Sequence, residues 1–164
     1  MKRWKNFRFG KAFVVPAVLT LAWMVVIFLF SAQNGDDSSD TSGRVLAFLC
    51  GLFGYTPTEE IRETLSFLVR KAAHMTEFGI LGLLWQATLK GGFGKFSGRF
   101  PCAFALASLY AATDEIHQLF VSDRAGQITD WMIDSTGILL FLTAAWLISV
   151  WKRRTRNQAT NTTL

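Results

Sequence analysis

Four long apolar runs divide the chain, and three of them become polar at one end. They cover residues 12–30, 72–89, 101–121 and 128–151, each near the roughly 17 to 25 residues a helix needs to cross a bilayer. The first run contains no ionisable residue. The others carry "RKAAHMTEFG", "TDEIHQ" and "TDWMID" at one end. A basic start, "MKRWKNFRFGK", resembles that of a signal peptide. However, the apolar run after it exceeds the usual core of about 7 to 15 residues and three more runs follow, which predicts an uncleaved anchor.

The connection over 31–71 is the longest. "NGDDSSDTSG" is turn-rich, and "RVLAFLCGLFGY" is too short to span, so it is expected at the outer interface. "TPTEEIRETLSFLVRKAAHMTEFGILG" then reads as one helix, with Thr58 as N-cap and Glu59 and Glu60 in the first turn, where the helix dipole favours acids. Ile61, Leu65, Leu68 and Ala72 recur at helical spacing. "KGGFGKFSGR" predicts an inner turn and "SDRAGQ" a short outer one. The polar, aperiodic tail 155–164 is expected to be disordered. The prediction is a single all-α membrane domain over 1–164. It is a four-transmembrane-helix bundle with an extracytoplasmic interfacial helical segment between its first two helices.

Composition agrees, with 51% hydrophobic residues, 15 Phe and 6 Trp. Most of the 17 Lys and Arg fall at the start, in the turn holding Lys90, Lys95 and Arg99, and in Lys152, Arg153, Arg154 and Arg156. With four crossings, cytoplasmic termini put all three groups inside, as the positive-inside rule requires. The net charge of +5 then describes an inner face suited to anionic lipids, and nothing asks for nucleic acid. Cys50 falls outside and Cys102 inside, too far apart to pair. Trp4, Trp23, Trp85, Trp131, Trp146 and Trp151 lie mostly near the expected interfaces. Gly79, Gly82 and Gly137 suit close helix packing.

Counting 1.5 Å per residue from the inner basic anchors places Glu77 about 20 Å up, Asp114 about 22 Å and Asp134 about 27 Å. Against about 30 Å of hydrocarbon, all three sit in the outer third. Helical spacing groups Arg70, His74 and Glu77 on one face, Asp114, His117 and Gln118 on a second, and Asp130 and Asp134 on a third. Ser31 and Gln33 end the first span at similar height. Charges facing lipid at this depth would each cost several kcal/mol, so they should converge inward.

At these residues the chain resembles the VanZ-like membrane protein family, named for a teicoplanin-resistance accessory protein. The matching stretches are "FSAQ", "RKAAHMTEFGILG", "DEIHQLFVSDR" and "TDWMIDSTG", which together run from Phe30 to Gly137. The resemblance marks Ser31, Gln33, Lys71, His74, Glu77, Asp114, Glu115, His117, Gln118, Arg124, Asp130 and Gly137. Asp134 departs from it, since the family pattern often has Asn there. The resemblance implies a multi-pass bacterial cell-membrane protein linked to reduced susceptibility to lipoglycopeptides.

Three functions and one structural role are open to this cluster. Glu77, Asp114 and Asp130, neutralised by Lys71, Arg70 and Arg124, would be helix-to-helix glue. A binding pocket of Gln33, Lys71, His74, Glu77, Asp114, Glu115, His117, Gln118, Arg124, Asp130 and Asp134 would hold an amphiphile from the membrane: a lipid headgroup, a lipid-linked peptidoglycan precursor or a lipoglycopeptide. Lys71 and Arg124 would meet its phosphate or carboxylate and the acids its amine. An enzyme would use His74, Glu77, Asp114 and His117 as catalytic groups, or hold a divalent cation on these and Asp130. Transport by proton relay is opposed by the absence of inverted repeats.

Overall fold

In the computed structural model, which describes residues 7–94 and 97–162, the chain forms five helices and, among the described residues, no strand. Lys2, Arg3, Trp4, Lys5 and Lys95 lie outside the described residues. The helices are α1 (Lys11–Ser31), α2 (Gly35–Leu52), α3 (Glu59–Phe93), α4 (Arg99–Gln118) and α5 (Ile128–Thr162).

Two sequence expectations are corrected. The turn-rich "GDDSSDTSG" is the first half of α2, not a loop. Asn34 caps it by accepting the Asp37 N–H at 2.8 Å, and Asp36 and Asp37 stand in the first turn. Capping and the dipole outweigh the weak helix propensity of the polar residues. The tail expected to be disordered is helical through Thr162, as a continuation of α5.

The long third helix is the hub of the fold, packing against α1, α2, α4 and α5. Its 35 residues span about 52 Å, more than a bilayer's hydrocarbon thickness, and its first turns pack against α2. The bundle core is Ile27, Phe78, Leu81, Ala103, Ala107, Ala111, Ile138 and Leu142. The three alanines repeat every fourth residue, which lets α4 approach its neighbours closely.

Two close approaches between α3 and its neighbours need glycine. A Cβ on Gly137 of α5 would stand 2.3 Å from the Met75 carbonyl oxygen of α3, and one on Gly91 would stand 1.9 Å from that of Ala12. The latter contact has a local cause. Pro16 lacks the N–H that the Ala12 carbonyl would otherwise accept, so that carbonyl is free to lie against α3.

Contacts at the helix ends fix the relative directions. The Arg8 N–H bonds the Gly92 carbonyl at 2.9 Å, so the start of α1 meets the end of α3. At the opposite end the Gly35 N–H bonds the Ser122 carbonyl at 3.2 Å, which joins the start of α2 to the α4–α5 turn. One end therefore gathers Arg8, Lys11 and Lys90, and the other the acidic residues. The exterior is strongly apolar, with Val18, Leu21, Val25 and Leu29 of α1 and Leu140, Leu147 and Ile148 of α5 all more than half exposed. Helix α1 and residues Ile128–Gln158 of α5 are long and apolar enough to cross a membrane. α3 and α4 bear much of the inward-facing polar load instead.

Candidate functional site

Beneath the α4–α5 turn, helices α3, α4 and α5 enclose a polar chamber of about 260 Å³. Lys71 and His74 enter from α3, Glu115 and Gln118 from α4, and Asp130 and Asp134 from α5. Arg70, Asp123 and Arg124 complete the wall.

Several of these groups are already satisfied. Lys71 Nζ pairs with Asp130 Oδ1 at 2.5 Å, each side chain 19% exposed. Glu115 Oε2 accepts the Gln127 N–H at 2.8 Å, just before α5 begins, where the positive end of the helix dipole stabilises a carboxylate. Gly126 makes room for this, since a Cβ there would meet the Glu115 carbonyl oxygen at 2.0 Å. Arg124 Nε donates to the Gln33 carbonyl at 3.2 Å and ties the turn to the end of α1.

Other predicted site residues stand behind the wall. Asp114 is buried and accepts a hydrogen bond from Gln118 Nε2 at 3.0 Å. Glu77 is in electrostatic range of Asp114 and Arg124 but does not line the chamber. His117 turns toward α1 and stacks on Phe28 with ring centroids 4.6 Å apart. Gln33 contributes its backbone carbonyl. Among the described residues, no three His, Cys, Asp or Glu side chains are gathered as a metal site, so the candidate set of His74, Glu77, Asp114, His117 and Asp130 is not brought together as one.

Three ionisable groups in the wall, two guanidiniums and one carboxyl, have no ion-pair partner among the described residues. Asp134 is 1% exposed and neither carboxylate oxygen has a hydrogen-bond partner. Arg70 donates through Nη2 to the Ser39 hydroxyl, while its Nε is buried without a partner. Neither Arg70 nor Arg124 forms an ion pair among the described residues. Burial and then the neighbouring Arg70 charge pull the Arg124 guanidinium below its usual pKa.

Neutral groups, by contrast, join the helices elsewhere. Thr20 and Thr88 share a hydrogen bond at 3.0 Å, Ser108 and Ser135 at 2.8 Å, and the Tyr110 hydroxyl donates to the Met24 carbonyl at 2.7 Å. Trp23 Nε1 donates to the Glu77 carbonyl at 2.9 Å. The bundle thus has its polar glue without the chamber's unpaired ionisable groups.

A second cavity adjoins the first. It is a groove of about 890 Å³ between α2 and the first half of α3, its wall mixing Leu46, Ala47, Tyr55 and Pro57 with Asp40, Arg44, Glu59, Arg62 and Glu63, and Phe67 and Arg70 line both spaces. Sequence reasoning left Arg70 out of the binding set, although its spacing from His74 carried the signal. Asp123 gave none. Its backbone adopts φ 58°, a left-handed turn conformation uncommon for a non-glycine residue.

The VanZ/LLP1 family model matches residues 16–150. No curated protein and no solved structure matches the chain. The chain belongs to the VanZ-like family. Family and apolar helices together point to a membrane protein, and the membership accords with a relation to teicoplanin resistance.

Proposed function

We propose, taking VanZ-like membership as the premise, that the protein is a four-span bundle with both termini cytoplasmic that recognises an amphiphile in the outer leaflet. The ligand class is a lipid headgroup, a lipid-linked peptidoglycan precursor or a lipoglycopeptide, and binding it protects the cell envelope against teicoplanin-type antibiotics. The supporting observation is the adjacency of the two cavities: a polar chamber suited to a headgroup and a groove large enough for a longer chain share Phe67 and Arg70 in their walls. α3 and α4 can cross the bilayer despite their ionisable residues because those residues face one another and not lipid.

The test is teicoplanin susceptibility of a sensitive host expressing the protein. Ala47→Trp, which fills the groove, and Arg124→Gln, which removes a chamber charge, should each return the inhibitory concentration to that of cells without the protein. Membrane levels should stay unchanged. Full protection by both variants would exclude the proposed site.

A further inference from the structure

We propose that the chamber is built for a zwitterion: its anionic group, a phosphate or carboxylate, sits between Arg70 and Arg124, and its ammonium reaches the Asp134 carboxylate. This rests on amphiphile recognition as proposed above and narrows the ligand to headgroups that carry both charges.

The assignment follows from subtracting the satisfied groups. Lys71 and Asp130 neutralise each other. Glu115 accepts the Gln127 N–H, and Gln118 is bonded to Asp114. What remains is two guanidiniums without acid partners and one buried acid without any partner. Burial and the Arg70 charge both disfavour the charged form of Arg124, and the carboxylates of Asp114, Glu115 and Glu77 offset this only in part, so a further anion at the two arginines would be stabilising; guanidinium forks suit phosphate and carboxylate oxygens.

Asp134 makes the opposite demand. It lies one helical turn deeper than Asp130, and with 1% exposure and two unpartnered oxygens it is costly to bury in its ionised form, which only an added cation would make favourable. An ammonium would supply both the counter-charge and the donors. Asp123, also in the wall, adds to the negative potential that an amine would meet. An anionic group without an amine would satisfy the arginines but leave Asp134 unpaired.

The experiment titrates the purified full chain in detergent with dihexanoyl phosphatidylethanolamine, dihexanoyl phosphatidylglycerol and free phosphoethanolamine, read by calorimetry. Phosphatidylethanolamine should bind about thirtyfold or more tighter than phosphatidylglycerol, the loss expected when one partner of a buried charge pair is missing. Asp134→Asn should abolish that preference by weakening only the ethanolamine ligand. Arg70→Gln and Arg124→Gln should weaken both lipids. Equal affinities for the two lipids in the wild-type chain would overturn the zwitterion assignment and leave amphiphile recognition standing, a comparison that needs no variant to fold. Binding of free phosphoethanolamine with the same Asp134 dependence, but of neither lipid, would support the zwitterion and remove the amphiphile. Binding of none of the three would overturn both.

Discussion

Lys71 and Asp130 are far apart in sequence and meet inside a half-buried wall, so each depends on the other. Removing one leaves the other charge desolvated and alone. A double-mutant cycle with Lys71→Met and Asp130→Leu, followed by thermal unfolding in detergent, should give a coupling of about 1 to 3 kcal/mol. Asp134 should behave in the opposite way. Asp134→Leu replaces two unsatisfied buried oxygens by bulkier methyl groups that the adjoining chamber has room for, and the ligand-free protein should gain about 1 to 3 kcal/mol. Stability would then rise as ligand binding falls, the trade expected where strain serves a site. A drop in melting temperature for both Asp134→Leu and the smaller Asp134→Val would mean that the carboxyl group has a partner in the folded protein. The sequence made the layer of these acids legible through depth counting, since rise per residue is fixed. It did not reveal which side of each helix meets which neighbour. His117 shares a face with Asp114 by spacing, yet Phe28 of α1 holds its ring outside the chamber.

Helix packing separates glycines that the sequence groups together. Gly79 and Gly137 both lie at the α3–α5 contact, but a Cβ on Gly79 would meet the Phe141 side chain at 2.6 Å, which can move only by swinging the whole ring aside, whereas one on Gly137 would meet the Met75 backbone oxygen at 2.3 Å, which can move only with its helix. Gly137→Ala should therefore cost about 1 to 3 kcal/mol, and Gly79→Ala clearly less, as read by melting temperature. Equal costs would mean that the two helices can shift apart. The elements themselves were largely readable. The pattern from Thr58 onward gave one continuous helix because its caps and apolar spacing agree, and α3 starts at Glu59 as that pattern requires. α2 was misread in its first half because Ser, Asp and Gly have turn-like averages. The Asn34 cap and the Ser122 contact that hold it depend on geometry no local window contains.

At the scale of the whole molecule, the two ends of the bundle differ in charge, and this polarity sets the expected orientation. Arg8, Lys11 and Lys90 gather where α1 begins and α3 ends, while the chamber and its acids lie at the far end. Because basic residues tend to be retained on the cytoplasmic side, the proposed orientation turns the chamber outward, toward extracellular antibiotics and cell-wall precursors. The two native cysteines report this directly, since Cys50 lies near the end of α2 and Cys102 in the first turn of α4, and both are partly exposed. In intact cells a membrane-impermeant maleimide should label the Cys102→Ser protein, which keeps Cys50. It should leave the Cys50→Ser protein unlabelled until the membrane is opened. The reverse pattern would place the chamber in the cytoplasm, where it could not meet an external amphiphile, and the proposed protection would lose its physical basis even if every side-chain contact were correct.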